Sequence, residues 1–432
     1  MTSAIQNITN SIPSLGRARL LINSSDDVVI VSAVRTPIAK AKKGGFKNCC
    51  PEDLLAAVFT EAVKRGKVNP SQIQDIAVGN VLPPGGGANV ARMAQLYAGI
   101  PYTTPINTVN RQCSSGLTAV VQIANEIKAG EIDIGIGKYF DLPWHNWMLT
   151  LHAGAGVEHM TAHYGAGVLP EKMSEEVLSN PEAADCLTPM GITSENVAKQ
   201  YNISRDVQDT FAANSFGKAA AAQKAGKFKE EIVPVKVRWT DPKTNEEKEI
   251  IVDSDEGIRE GVTAESLAKL KPAFAKDGST HAGNASQVSD GAAAVILARR
   301  SVAQKLGLPI LGKFVISAVV GVPPKLMGIG PAFAIPKVLE KAGISKDDVD
   351  FFEINEAFAS QAVMSIQHLH IPFEIVNPVG GAIAIGHPLG CTGARQIATA
   401  FSEAKREKKK IFVTSMCIGS GMGMAAVFVN EQ

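Results

Sequence analysis

Apolar and polar positions along the chain fall into two periods. Short, nearly continuous apolar runs at 28–34, 76–81, 132–136, 292–298 and 411–415 have the composition of buried strands. Between them lie segments such as 52–64 and 117–128, whose apolar residues recur every three or four positions, as on one face of a helix. The alternation predicts an α/β architecture. From about 162 to 277 the text shifts to charged helical stretches (195–200, 205–227) and Lys/Glu-rich connectors, which predicts a loop domain inserted into the first half. The predicted boundaries are a tail over 1–27, an N-terminal half over 28–300 and a C-terminal half over 301–432. Cys113-Ser-Ser-Gly-Leu-Thr-Ala-Val-Val-Gln-Ile-Ala echoes Cys391-Thr-Gly-Ala-Arg-Gln-Ile-Ala-Thr. Both put a cysteine at a helix start followed by a strand, so the halves read as two copies of one plan.

Composition narrows the function classes. The 432 residues are 45% hydrophobic and 20% charged, enough for two core units. A net charge of +1 gives no electrostatic footprint for nucleic acid or an anionic membrane. No apolar run reaches the roughly 18 residues of a membrane span. Six unevenly spaced cysteines (Cys49, Cys50, Cys113, Cys186, Cys391, Cys417) form neither a disulfide framework nor a zinc pattern, which favours a reducing compartment.

Four segments carry candidate chemistry. In Asn110-Arg-Gln-Cys113-Ser-Ser-Gly-Leu117 the cysteine stands at the mouth of an amphipathic helix, where the helix dipole and free N–H groups can lower a thiol pKa from about 8.5 towards neutrality; a buried structural cysteine is the alternative. In Asn377-Pro-Val-Gly-Gly-Ala-Ile-Ala-Ile-Gly-His387-Pro388-Leu-Gly-Cys-Thr-Gly393, a histidine held between Gly and Pro is better placed to act on a ligand than to fill a core. Phe352-Glu-Ile-Asn355-Glu356-Ala-Phe-Ala359 puts an amide and a carboxylate at a strand end, where a plain helix cap also fits. Ser415-Met-Cys417-Ile-Gly419-Ser-Gly-Met-Gly423 ends a strand in a glycine-rich turn that exposes a thiol and N–H groups; alone it is weak.

Together, and in this order, the four segments resemble those of thiolases over residues 28–137 and 155–429. Cys186-Leu-Thr-Pro-Met-Gly-Ile-Thr-Ser-Glu-Asn-Val-Ala198 and Gly283-Asn-Ala-Ser-Gln-Val-Ser-Asp-Gly-Ala292 are similar to the peroxisomal 3-ketoacyl-CoA branch. The resemblance implies two similar βαβ-rich halves in a five-layered αβαβα arrangement with an inserted loop domain, assembled as a homodimer. It implies CoA-dependent cleavage of 3-ketoacyl-CoA in fatty acid β-oxidation, with coenzyme A as co-substrate, no permanently bound cofactor and no metal. It makes Cys113 the nucleophile, His387 its base, Cys417 the second acid/base, Asn355 and the Gly419 N–H oxyanion contacts, and Ser286 and Met190 part of the coenzyme A channel. The rivals are a biosynthetic acetoacetyl-CoA thiolase, a condensing enzyme on the same fold, against which Cys417 argues, and an inactive binding protein.

Two departures stand out. In thiolases the strand after the nucleophile's helix runs straight into a Gly-Val-Glu-Ser-Met turn. Here seventeen residues, 138–154, intervene, with Trp144 and Trp147 among them and His159 in place of the usual Ser. Gly137-Lys138-Tyr139 can be encoded with a splice donor (GTAAGT) and Ala153-Gly154 with an acceptor (CAG), so the insert reads as an in-frame retained intron, with a genuine inserted surface loop as the alternative. If translated, it is expected to interrupt a core strand and to disturb catalysis. The second departure is the address: Ile5, Ile8 and Ile12 keep the apolar rhythm of the family's N-terminal peroxisomal signal, while Ala4 and Ser11 replace its Arg and His. Peroxisomal location therefore rests on the branch resemblance, with mitochondrion or cytosol as alternatives.

Overall fold

The computed structural model describes residues 15–132, 151–164, 172–241 and 244–432. In the first half the core elements are β1 (Val28–Arg35), α1 (Pro51–Arg65), β2 (Ile73–Gly79), β3 (Ile106–Val109), α2 (Ser115–Ala129) and β4 (Leu151–His159). A long excursion carrying α3 (Met190–Gln200) and α4 (Arg205–Lys224) follows before β5 (Ser289–Arg299) returns to the core. The second half supplies β6 (Gly312–Gly321), α5 (Gly330–Ala342), β7 (Phe351–Ile354), α6 (Ala359–His368), α7 (Leu389–Arg406), β8 (Ile411–Ile418) and β9 (Met422–Asn430).

The duplication seen in the text is present in the strand order. The first half runs β1-β5-β4-β2-β3 and the second β6-β9-β8-β7. In both, the two innermost pairs are antiparallel and the next is parallel: β4 with β2 in the first half, β7 with β8 in the second. A short antiparallel contact between β1 and β6, Val28 opposite Phe314 to Ile30 opposite Gly312, joins them into one sheet.

Strict alternation on strands buried on both faces builds the layers. In β5, Ala293, Val295 and Leu297 face a core shared with Leu117 and Ile123 of α2, Ile397 and Phe401 of α7, and Phe412 and Phe428 of the second half. Ala292, Ala294 and Ile296 point the other way, onto Leu54, Val58 and Phe59 of α1. Val413, Ala425 and Val427 pack against Ile335 and Val338 of α5. The stack is therefore α1, first sheet, α2 with α7, second sheet, α5. Each fully buried Leu, Ile or Phe contributes about 1.5–3 kcal/mol.

The inserted lobe is bound to both halves. Phe211 of α4 meets Phe373 edge to face at 6.2 Å, and Ser215 Oγ donates to Glu356 at 2.7 Å. Arg35, fully buried at the end of β1, is held by Glu231 at 2.6 Å and Asp255 at 2.7 Å. Removing one partner of so deeply buried a pair costs about 3–5 kcal/mol. The tail is also docked from residue 15 onward: the helix Leu15–Leu20 buries Leu20, and Arg17 pairs with Asp350 at 3.0 Å. The proposed address residues at 4–12 lie outside the described residues.

From residue 133 the strand expected at 132–136 also lies outside the described residues, and Leu151–His159 occupies the place between β2 and β5. The expected interruption of a core strand is thus corrected, because the last four residues of the insert extend it. What the register demands there is a glycine: a Cβ on Gly154 would stand 2.6 Å from Val120 Cα in α2. In a chain lacking 138–154, Gly137 directly precedes Ala155 and takes that position. Such a chain is expected to unfold at a temperature no lower than the full chain, whereas Gly154→Val in the full chain should lose roughly 1–3 kcal/mol by forcing strand and helix apart. A clearly lower thermal midpoint for the deletion would show the insert to be an integral part of the strand.

Candidate active site

The two central helices bring the motifs together. A Cβ on Gly116 of α2 would stand 2.6 Å from Gly390 O, and one on Gly393 of α7 would stand 2.2 Å from Leu117 N, so the helices touch backbone to backbone at their N-terminal ends. Cys113 lies just before α2, in the 3-10 turn Gln112–Ser114, and His387 just before α7. The nucleophile turn is held by Asn110 Oδ1, which accepts from Gln112 N at 2.9 Å, and by Ser115 Oγ, which donates to Gln112 O at 2.6 Å; this leaves Gln112 at φ 45°. Cys391, the echo of Cys113, lies in the first turn of α7 and is fully buried, a packing residue.

The hydrogen-bond network assigns the tautomer of His387. Thr392 Oγ1 donates its single proton to Pro388 O at 3.1 Å, so at 2.6 Å from His387 Nδ1 it accepts, and the ring proton sits on Nδ1. Nε2 is left with its lone pair and receives Asn355 Nδ2 at 3.3 Å. Asn355 Oδ1 is buried without a protein partner. Burial, with the Arg395 charge adding to it, pushes the His387 pKa down to about 3. The imidazole is therefore neutral, with Nε2 free to take a proton.

Cys417 lies on β8, which ends in the Gly419 turn. A Cβ on Gly419 would stand 1.8 Å from Gln112 Oε1, so any larger residue there would displace the Gln112 side chain. The N–H groups of Gly419 and of Cys113 itself are directed at the Cys113 sulfur. They do not produce the low thiol pKa expected of a helix mouth: burial dominates and pushes Cys113 up to about 11. Cys113 is only 8% exposed, and the desolvation of a thiolate there outweighs the dipole. Burial first, and the neighbouring Cys113 second, also push Cys417 up. At rest both are thiols.

The two coenzyme A candidates lie further out. Ser286 is half-buried, and its N–H donates to Ala357 O at 2.9 Å, beside Asn355. Met190 opens α3 and is exposed; its neighbour Gly191 packs on Phe274, whose ring meets Phe358 edge to face at 6.4 Å. His159, which stands in place of the usual Ser, is held by two hydrogen bonds: Nδ1 accepts from Ala162 N at 3.3 Å and Nε2 donates to Phe46 O at 3.1 Å.

Three residues were missed by the sequence reading. Thr392 carried a signal, being five residues after His387 on the first turn of a helix. Gln361, whose Oε1 accepts from the Cys417 thiol at 3.3 Å, carried none beyond its place after the Asn355 motif. Glu158, fully buried, accepts N–H groups from Val81, Leu82 and Gly390, so it joins β4, the loop after β2 and the start of α7. Burial pushes it up to about 7 against those donors. Among the described residues no group of His, Cys, Asp and Glu is arranged to hold a metal, and no helix is long and apolar enough to cross a membrane.

This arrangement of two thiols, a neutral imidazole and paired N–H donors at the meeting point of duplicated halves is that of a known enzyme class. The chain matches the thiolase N-terminal domain over residues 28–138 and 149–301 and the thiolase C-terminal domain over 308–430, and it belongs to the thiolase family. The gap in the first match falls inside the 138–154 segment. The chain is 56% identical over 419 residues to the peroxisomal 3-ketoacyl-CoA thiolase of Yarrowia lipolytica, covering 97% of each chain. The crystal structure of the dimeric peroxisomal thiolase of Saccharomyces cerevisiae superposes with a TM-score of 0.86 at 50% identity, over 96% of this chain and 100% of that one. A second Saccharomyces cerevisiae structure, of peroxisomal 3-ketoacyl-CoA thiolase, is described as five-layered and built from two core domains of identical topology; it superposes with a TM-score of 0.76 at 45% identity, over 95% of this chain and 100% of that one.

Two outcomes test the electrostatics. Thr392→Val removes the acceptor for Nδ1–H and frees the ring to turn or change tautomer; kcat/KM should fall about 10- to 100-fold, roughly 1.4–2.7 kcal/mol, while Thr392→Ser retains most activity. For Glu158, the folded pKa is raised from 4.5 to about 7, so its contribution to stability is complete below pH 4.5 and is lost as pH rises through 7. Glu158→Gln should therefore gain on the wild type in thermal unfolding between pH 5 and pH 8, by up to about 3 kcal/mol. An equal offset at both pH values would show that the carboxylate titrates as in the unfolded chain.

Proposed function

We propose that this chain is a 3-ketoacyl-CoA thiolase of fatty acid β-oxidation, which cleaves 3-ketoacyl-CoA with free coenzyme A through an acyl thioester on Cys113. The observation that carries the reading is the pair of buried cysteines, one from each half, at the Gly419 turn, with a neutral His387 held by Thr392 and Asn355 at the start of the helix that packs against α2. His387 Nε2 takes the Cys113 proton as sulfur attacks the 3-keto carbon. The bond between carbons 2 and 3 breaks, its electron pair passes to carbon 2 of the departing acetyl-CoA enolate, and the Cys417 thiol protonates that carbon. The Cys417 thiolate then takes the proton of the incoming coenzyme A thiol, which attacks the acyl group. Cys113 leaves as a thiolate and recovers its proton from His387. The cycle is closed in protons and electrons and calls for no permanently bound cofactor.

Charge developing on the substrate oxygens falls to the N–H groups of Cys113 and Gly419, and to His387 with a water on Asn355, whose Oδ1 has no protein partner. One such donor is worth about 3 kcal/mol. Ser286 and Met190 line the coenzyme A approach, and the loop domain over about 162–277 holds the nucleotide end, with the halves divided at about residue 300. A homodimer is supported by the dimeric relative and by β3, an edge strand with no partner on its outer side among the described residues. The names of the relatives support a peroxisomal location.

The test is coenzyme A-dependent cleavage of a medium-chain 3-ketoacyl-CoA by the full chain, the chain lacking 138–154, and Cys113→Ala. The shortened chain should be active, Cys113→Ala should lose at least about 10³-fold in kcat, and mass spectrometry should find the acyl adduct on Cys113 alone. Activity in neither parent chain, with both folded, would overturn the reading.

A further inference from the structure

The two cysteines share one kind of contact and differ in another. Each sulfur meets its own backbone N–H, which favours a thiolate, and Cys113 has a second such donor in Gly419 N–H. Cys417 donates its own proton to an acceptor, Gln361 Oε1, at 3.3 Å. That oxygen also accepts the backbone N–H of Ala357 at 3.2 Å. An N–H can bond only the oxygen end of an amide, so the backbone fixes which end of Gln361 meets the sulfur. Gln361 is fully buried on α6, with the base of its side chain packed over Gly328, so swinging the amide away would have to displace core atoms. Its Nε2 is buried without a partner, a cost of about 1–3 kcal/mol that turning the amide would relieve only by breaking the Ala357 contact. The remaining surroundings of Cys417, Met327, Ala357, Phe358 and Ala285, are apolar, and the titratable group facing it is Cys113.

We infer that Gln361 is a positioning residue that divides the work of the two cysteines: its fixed carbonyl oxygen keeps Cys417 a protonated donor, so that the acyl group forms on Cys113 only. An acceptor 3.3 Å from sulfur opposes a thiolate there and is met by the thiol. When Cys417 has given its proton to the enolate carbon, the resulting thiolate lies against the same oxygen and is driven to recover a proton from the incoming coenzyme A thiol. Gln361 thereby speeds the return of the acid form and keeps a second nucleophile out of the acylation step. The destination of the proton rests on the function proposed above; the state of the thiol does not.

The S–H stretching band tests the contact directly in the full-length protein. The difference between wild type and Cys417→Ala isolates the Cys417 band, which should lie at the lowered frequency of a hydrogen-bonded thiol. A band at the free-thiol frequency in the wild type overturns the inference without any Gln361 variant. Gln361→Met, similar in length but with no acceptor oxygen, should move the band to the free-thiol frequency and lower the alkaline limb of the kcat profile by about one pH unit, a tenfold change in the thiol-to-thiolate ratio. Gln361→Glu retains an oxygen for both donors and should hold the band at or below its wild-type frequency. Reduced activity with an unmoved band and an unmoved alkaline limb would show Gln361 to be a packing residue only. Absence of an acyl adduct on Cys113, with the band behaving as expected, would instead retract the functional reading and leave the assignment of the thiol standing.

Discussion

The structure depends on one contact, the crossing of α2 and α7 at Gly116 and Gly393. Two sheets sandwich these helices, and the helices can share one layer only if their backbones meet without side chains between them. Because the contact is at their N-terminal ends, the residues just before each helix, Cys113 and His387, are brought to one place from positions far apart in sequence. The sheets then supply the rest at strand ends: Asn355 after β7, Cys417 and Gly419 at the end of β8, and Glu158 near the end of β4. The glycines in Cys-Ser-Ser-Gly and Cys-Thr-Gly are therefore part of the helix packing as much as of the chemistry.

The same compactness sets the resting charge state. Sealed between two sheets, neither thiol nor imidazole can ionise cheaply, and burial outweighs the helix dipole that a sequence argument places at Cys113. The site does not hold a ready-made thiolate–imidazolium pair; the proton moves when the substrate is in place. The Gly419 N–H at one sulfur and the Gln361 oxygen at the other make two otherwise similar thiols chemically different.

Much of this was legible in the sequence, and what was hidden was hidden for physical reasons. The ends of the strand runs at 28–34, 292–298 and 411–415 fall within three residues of the observed strands, since strands buried on both faces leave little ambiguity. Cys113, His387, Asn355 and Cys417 were recognisable because each lies at, or just before, a turn whose residue types are restricted. Gln361 was not, because its role comes from a turn of α6 folding back onto β8, a contact across 56 positions that no local pattern announces. The docking of the lobe was equally hidden: Arg35 meets Glu231 and Asp255 across some two hundred positions, and a lone arginine at a strand end looks like any surface charge.

The misjudged strand shows how register protects the site. A shift of β4 by one residue would send Glu158 to the opposite face of the sheet and release the N–H groups of Val81, Leu82 and Gly390 that it holds, among them the start of the helix behind His387. What prevents the shift is Gly154, since no neighbouring register puts a residue without a side chain against Val120. The segment before Ala155 can end in Ile-Gly or in Ala-Gly, and the glycine keeps the count the same. Residues 151–154 of the insert thus belong to the strand itself. With a glycine at that place, Glu158 stays on the face from which it holds the N–H of Gly390 at the start of the helix that follows His387.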